Sequence, residues 1–450
     1  MEDTIAAVAT TIGESSINVI RISGKDSINV ANKIFSKDIS NVPSHTVHYG
    51  FIMEDKEKID EVFLSVFRAP KSFTTEDIVE ISVHGGSASV NKVMELVLSN
   101  GARLAEPGEF LKRAFLNGRI DLTQAEAVGD LINAQTESSR KMALKGVDKT
   151  IFGEINELKE KVLALIANIE VNIDYPEYED AVVVTKEMIN ETNEFIREKV
   201  NKLLKNSKKG LLIKNGLKIV IVGKPNVGKS SILNSLLKEN KAIVTDIKGT
   251  TRDIVEGTLM IDGVKLDILD TAGIRETNDV VEAIGVKRSV DAIDEADLVL
   301  FVIDSEDGFN KEDKEVLDKI KDKEILVVYN KNDKKENYKV DELSSYNSIN
   351  ISTFDNDMIE KLKDKISSIF DLKSIAESNY TYISNARQIA LLNKSLNIVD
   401  EIENAVNNDL EVDMIEIDVK RLWETLGEIT GEVGSDDLLN EIFSKFCLGK

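Results

Sequence analysis

The sequence predicts a multidomain fold: an N-terminal α+β domain, a central all-α helical domain, and an α/β domain inserted into the helices. Three observations predict it. Up to about Gly118, short β-branched runs alternate with polar turns. From Leu122 to about Lys209, and again after Ser378, apolar residues recur at helical spacing. Between these helical stretches, from near Leu217 to about Phe370, apolar strands are separated by helices, the alternation of a parallel α/β sheet. Two helical segments flanking an α/β unit can each bury an apolar face against the other, so the middle unit reads as an insertion. The expected domains are residues 1–118, 119–213, 214–371 and 372–450, and 450 residues at roughly 150 per domain agree with such a division.

In chain order, Ile17–Ile22, Val62–Phe67 and Ile78–His84 read as strands, and Ser87–Ser99 as a helix. Alternation along Ile78–His84 places Glu80, Ser82 and His84 on one face and Val79, Ile81 and Val83 on the other. Leu158, Val162, Leu165 and Ile169 mark one face of a long helix. Asp174-Tyr175-Pro176-Glu177-Tyr178 interrupts the helices, because proline removes an amide donor and restricts its predecessor. Leu392, Leu396 and Val399, then Leu422, Leu426 and Ile429, renew the helical pattern, with Trp423 read as core packing.

Lys plus Arg total 57 and Asp plus Glu 80, a net charge of −23, which opposes non-specific adhesion to DNA or anionic membranes. A polyanionic partner must therefore meet a local basic patch. Lys202, Lys205, Lys208, Lys209, Lys214 and Lys218 form the clearest one, either a solvated helix end or a phosphate contact for RNA. One cysteine, Cys447, and three histidines cannot build a disulfide framework or a Cys/His zinc cluster. The start lacks a positive-then-apolar signal and no apolar run approaches roughly 18 residues, so a cytoplasmic protein without a membrane span is expected.

The strand Leu217–Val222 runs directly into Gly223-Lys224-Pro225-Asn226-Val227-Gly228-Lys229-Ser230, and a helical pattern begins at Ser231. That is a phosphate-binding loop in the strand–loop–helix setting it needs. Glycines let backbone amides wrap phosphates, the helix N-terminus adds positive potential, Lys229 neutralises β/γ charge and Ser230 can ligate Mg²⁺. Further on, an apolar strand ends in Asn330-Lys331-Asn332-Asp333. The Asp333 carboxylate can accept from the ring N–H and exocyclic amine of guanine, which adenine does not present in that arrangement. Together the motifs imply GTP, and the inserted unit reads as a P-loop GTPase domain. Asp246-Ile247-Lys248-Gly249-Thr250-Thr251-Arg252-Asp253 offers Thr251 to the Mg²⁺ shell while a γ-phosphate is present. Leu269-Asp270-Thr271-Ala272-Gly273 offers an aspartate to the metal's outer shell and a glycine amide to the γ-phosphate, and segments held this way are released on hydrolysis. The four elements in this order resemble translation-factor-related GTPases. Ile274 stands where many of these carry a water-orienting glutamine, leaving Glu276, Asp279 and Glu282 as acidic candidates for that task.

The flanks narrow the resemblance. Thr4-Ile5-Ala6-Ala7, Arg21-Ile22-Ser23-Gly24, Ser72-Phe73-Thr74, His84-Gly85-Gly86 and Glu106-Pro107-Gly108-Glu109-Phe110 all contribute to it. So do Arg113-Ala114-Phe115-Leu116-Asn117-Gly118, Gln124-Ala125-Glu126-Ala127 and the tail Phe446-Cys447-Leu448-Gly449-Lys450. The whole set resembles the bacterial tRNA-modification GTPase family MnmE, also called TrmE, from end to end. The resemblance implies a tetrahydrofolate-binding and dimerising N-terminal domain, a helical domain, and a GTPase domain inserted in it. It implies a homodimer that works with the flavoprotein MnmG, as a heterotetramer with FAD on the partner only. Together they build an aminomethyl-type (carboxymethylaminomethyl) group on C5 of wobble uridine in tRNA, from a one-carbon unit of 5-formyl- or methylene-tetrahydrofolate. Carried over by position, the folate contacts are Arg21, Glu80, Arg119 and Lys450, a set whose carboxylate suits a pterin donor edge and whose cations suit a glutamate tail. Glu282 becomes the water-orienting residue. Asn226, Thr245, the Ile247 carbonyl and Thr250 become K⁺ ligands, and Ser352-Thr353 the loop that supports the base. Cys447 is either a nucleophilic thiol or a small packed residue. Competing readings are a GTPase that docks on ribosome or RNA without modification chemistry, and a folate-dependent transferase acting on other substrates.

Overall fold

The computed structural model describes residues 3–11, 13, 15–174, 184–238, 257–270, 292–377, 383–434 and 436–449. The architecture is multidomain: an α+β N-terminal domain, a helical domain and an α/β domain with a P-loop. Two compact units form, one of Met1–Ile132, Leu144–Val200 and Ala390–Lys450, the other of Asn133–Ala143 and Asn201–Ile389.

In the first unit, β1 (Ile5–Val8), β2 (Ile17–Ser23), β3 (Thr46–Glu54), β4 (Glu57–Phe67), β5 (Ile78–His84) and β6 (Arg103–Leu104) form one sheet in the order β3-β4-β5-β2-β1-β6. All neighbours are antiparallel except β1 and β6. The helices Ser27–Ile34 and Ser87–Ser99 close one face over a core that includes Ile20, Ile22, Leu64, Ile81, Val93 and Val97. The other face carries Ile5, Ala7 and Phe110. The strand β5 alternates as expected, with Val79, Ile81 and Val83 buried and Glu80, Ser82 and His84 on the more open side. Its register sets Glu80 directly opposite Arg21.

The helix Thr150–Asp174 buries Leu158, Val162, Leu165 and Ile169 and packs against Val412–Thr430, which buries Leu422, Leu426 and Ile429. Segments from before and after the α/β stretch thus share one core, the arrangement that an insertion requires. Trp423 is only half-buried, and its ring lies 5.0 Å from the Lys159 ammonium. The helix ends at Asp174, and the proline-containing interval after it lies outside the described residues.

In the second unit, β7 (Leu217–Val222), β8 (Gly257–Ile261), β9 (Val264–Asp270), β10 (Leu298–Asp304), β11 (Ile325–Asn330) and β12 (Asn347–Asn350) run in the order β12-β11-β10-β7-β9-β8. All pairs are parallel except β8 with β9. A parallel sheet is covered on both faces, so its central strands are apolar throughout. Every residue of β10 and β11 is buried, with Leu300, Val302 and Val328 in one core and Phe301, Ile303 and Val327 in the other. Ligand sites in such sheets lie beyond the carboxyl ends of the strands.

Candidate active site

The carboxyl ends of β7 and β11 bring the two nucleotide motifs together. The phosphate loop leaves β7 at Gly223, whose φ of +154° and whose position (a Cβ there would lie 2.4 Å from the Val302 carbonyl oxygen) exclude any side chain. The helix Lys229–Lys238 then begins at the lysine. The Lys229 Nζ donates to the carbonyls of Gly223 at 2.7 Å and Lys224 at 2.8 Å, so the ammonium is held over the loop it serves. Asn226 lies exposed in the left-handed region, φ +64°, which asparagine tolerates better than most residues. Val227 is buried, while Ser230 and Ser231 are exposed on the first turn of the helix.

Asn330 ends β11, and its Nδ2 donates to the Val227 carbonyl at 2.8 Å and so ties this segment to the phosphate loop. The ammonium of Lys331 pairs with Asp304. Burial pushes the Asp304 carboxyl upward, but that pairing and the Glu306 and Asp307 amides outweigh it and hold the group below its ordinary value. The Asn332 amide donates to the Ile351 carbonyl at 3.0 Å. The exposed Asp333 accepts from the Ser352 hydroxyl at 2.6 Å, so the loop at Ser352 and Thr353 sets the carboxylate that the sequence assigned to guanine. Of the remaining predicted residues, Thr245, Asp246, Ile247, Lys248, Gly249, Thr250, Thr251, Thr271, Ala272, Gly273 and Glu282 lie outside the described residues. Asp270 closes β9, with its side chain likewise outside them.

In the first unit, Arg21 Nε donates to Glu80 Oε1 at 2.8 Å, and Arg21 Nη1 to the Gly449 carbonyl at 3.2 Å. Two predicted folate residues and the end of the tail therefore meet, and Lys450 itself lies outside the described residues. The tail is seated by shape: Gly108, φ +69°, comes so close to Phe443 that a Cβ would lie 2.2 Å from its carbonyl oxygen. The Gly108 amide donates to the Cys447 carbonyl at 3.3 Å, while the Cys447 residue stays exposed. Arg119 joins the group through Phe73, whose ring centroid lies 5.7 Å from the Arg21 guanidinium and 4.8 Å from that of Arg119. Partial desolvation pulls the Arg119 guanidinium below its ordinary pKa, and among the described residues it forms no ion pair. It lines a cavity of about 600 Å³ with His45, Phe67, Lys71, Phe73 and Asn117, a lining with two permanent cations and no carboxylate.

The sequence reading missed Arg113. It is 1% exposed and donates to Asp3, Glu76 and Glu109, and Glu76 in turn accepts from Ser23 at 2.7 Å, beside Thr74. The motif around it gave a resemblance without a role. Among the described residues, no cluster of His, Cys, Asp and Glu has metal-binding geometry, and no helix is long and apolar enough to cross a membrane.

A strand–loop–helix phosphate loop tied through Asn330 to the strand end that carries Asp333 is the arrangement of a P-loop GTPase domain. The comparisons with known proteins then specify the family. Residues 4–119 match the family model described as GTP-binding protein TrmE N-terminus, and residues 122–447 match the MnmE helical domain. The tRNA modification GTPase MnmE of Streptococcus thermophilus (strain CNRZ 1066) is 47% identical over 450 residues, 100% of this chain and 98% of that protein. Its namesake from Lactococcus lactis subsp. cremoris (strain MG1363) is 47% identical over 449 residues, with the same shares covered. Among solved structures, Aquifex aeolicus Era bound to GDP and AlF4⁻ shares 30% identity over 40% of this chain and 66% of its own, at a TM-score of 0.28, too slight a likeness to argue from. The chain belongs to the MnmE family of tRNA modification GTPases.

Proposed function

We propose that this GTP hydrolase of the tRNA-modification class is stimulated by K⁺ and works with the flavoprotein MnmG. Together they install an aminomethyl-type (carboxymethylaminomethyl) group at C5 of wobble uridine, drawing the one-carbon unit from 5-formyl- or methylene-tetrahydrofolate. The observation that carries the reading is the meeting of Arg21, Glu80 and the Gly449 tail beside Phe73 and Arg119, in a chain whose other unit ties a phosphate loop to Asn330, three residues before Asp333. The Glu80 carboxylate suits the donor edge of a pterin, and the cation-lined cavity at Arg119 and Lys71 suits the carboxylates of a glutamyl tail. Lys450, which follows Gly449 in the sequence, would add a further cation.

In the nucleotide site, Lys229 offsets β/γ-phosphate charge and Asp333 reads guanine. The Ser230 hydroxyl, exposed at the helix start, and Thr251 would hold Mg²⁺, for which oxygen donors are the right chemistry. Asn226, exposed on the loop, would hold K⁺ with Thr245, the Ile247 carbonyl and Thr250, and Glu282 would orient the attacking water. Bound beside the β/γ-phosphates, such an ion supplies positive charge where an arginine finger does in other GTPases, a contribution of about 10³ to 10⁵ in rate. GTP hydrolysis in KCl is therefore expected to exceed that in NaCl of equal ionic strength by roughly tenfold or more. Equal rates in the two salts remove the K⁺ mechanism.

The domain plan of residues 1–118, 119–213, 214–371 and 372–450 goes with this reading, as does a homodimer formed through the N-terminal domain. Supporting the dimer, Val47, Tyr49 and Phe63 are 64%, 47% and 55% exposed on β3 and β4, with the cross-strand pair Tyr49 and Phe63 at 5.9 Å between centroids. For tRNA, Lys202, Lys205 and Lys208 stand exposed along the helix Lys186–Asn215. Replacing all three by alanine is expected to weaken tRNA binding and to flatten the log–log salt dependence by about 2 units. An unchanged slope places the RNA elsewhere.

A further inference from the structure

The phosphate loop carries a second lysine, Lys224, for which the nucleotide site as described has no use. Its side chain is 8% exposed, and its ammonium lies 3.0 Å from the carboxylate of the fully buried Asp313. Asp313 belongs to the first turn of the helix Lys311–Ile320, where its Oδ2 also accepts from the Asn310 amide at 3.0 Å as half of a capping box. Sinking an ammonium and a carboxylate together costs desolvation, and an apolar pair of similar volume often serves stability as well. The pair therefore calls for a reason beyond packing.

The backbone of Lys224 supplies one. Its carbonyl accepts from the Lys229 Nζ at 2.8 Å, next to the Gly223 carbonyl at 2.7 Å. At the far side of the loop, Asn330 Nδ2 holds the Val227 carbonyl at 2.8 Å. The loop is pinned at both ends, once by the base motif and once by a carboxylate outside every nucleotide motif.

We propose that Asp313 is a positioning residue: through Lys224 it fixes the first peptide planes of the phosphate loop and hence the fit of that loop to the β-phosphate. The inference rests on reading this loop as a guanine-nucleotide site. The ion pair acts on ground-state binding, so its loss shows in nucleotide release and in KM more than in kcat.

The test uses the full chain, fluorescent N-methylanthraniloyl-GDP and the variants Lys224→Met, Asp313→Asn, their combination and Lys224→Arg. Each neutralising single variant strands a buried charge and is expected to melt lower. The double variant strands none, and the asparagine keeps an acceptor for the cap, so it is expected to melt near the wild type. It is nevertheless expected to release GDP roughly tenfold faster, with KM for GTP raised by a similar factor and kcat changed less than about threefold. Lys224→Arg keeps the pair and is expected to hold release within about twofold of wild type. A double variant that recovers nucleotide release along with its melting point overturns the proposal, as does any neutralising variant that melts lower yet releases GDP at the wild-type rate. Failure of the wild type to bind the probe overturns the nucleotide reading itself and this inference with it.

Discussion

Replacing Asp333 with asparagine is expected to lower kcat/KM for GTP by about 10²-fold or more while leaving the fold intact. The carboxylate is set by the Ser352 hydroxyl at 2.6 Å and keeps lone pairs for two guanine N–H donors. Hydrogen bonds to charged groups contribute about 1.5–3 kcal/mol each, and an amide in place of the carboxylate loses one acceptor and turns an N–H toward the guanine amine. The same amide suits a base with a carbonyl at that position, so xanthosine triphosphate is expected to become the better substrate. Competing hydrolysis of the two nucleotides measures the switch. A variant that still prefers GTP by the wild-type margin shows that another group reads the base.

The Arg113→Met variant is expected to lose about 3 kcal/mol of stability in urea unfolding, the lower end for breaking a buried ion pair because Arg103 still reaches Glu109. The methionine fills the stem but abandons Glu109, 5% exposed, and Glu76, 15% exposed. The same network sets an acid dependence. The hydrogen bond from Arg103 holds the Asp3 carboxyl below its ordinary value, against a desolvation push and with help from Arg113. Burial pushes the Glu109 carboxyl up, but Arg103, the Glu106 amide and Arg113 outweigh it, so it too lies low. Groups with depressed folded pKa values contribute stability at neutral pH that is lost as pH falls through those values. Wild-type stability is thus expected to decline below roughly pH 4, and its advantage over Arg113→Met to shrink there. A gap that stays constant from pH 7 to pH 3 contradicts the assignment. Because Glu76 also binds Ser23, next to the Phe73–Thr74 loop, the variant is expected to disturb the surroundings of Phe73 and Arg119, where the folate site is proposed, and not the phosphate loop.

Local rules made much of this legible. A phosphate loop needs glycines and a lysine between a strand and a helix, and β7, Gly223 and the helix Lys229–Lys238 stand where that rule puts them. Alternation gave the two faces of β5 because one face is buried and the other is not. It found only the second half of β4, since Glu57-Lys58-Ile59-Asp60 offers little apolar contrast, and β3 went unread with its histidine, glycine and tyrosine among the apolar positions. Register across the sheet is a tertiary fact: Arg21 and Glu80 are 59 residues apart, and Arg21 and Gly449 are 428 apart. Only the resemblance placed these groups in one site. Arg113 and Asp313 escaped for the opposite reason. A charged residue in a helical pattern reads as a solvated face, and burial with a partner from elsewhere leaves no mark on spacing. For Asp313 one signal was present, the Asn310 three positions earlier that forms its capping box.

The proposed link is that guanine nucleotide turnover drives chemistry at a folate site among Arg21, Glu80 and Arg119. It is tested most directly by reconstituting the full chain with MnmG, FAD, reduced folate, K⁺ and unmodified tRNA, and weighing the wobble uridine by mass spectrometry. The predicted result is a C5-modified uridine that appears with GTP, and fails to appear when a non-hydrolysable GTP analogue replaces it or when folate is left out. Equal modification with GTP, with the analogue and without folate contradicts a GTP-driven, folate-dependent reaction.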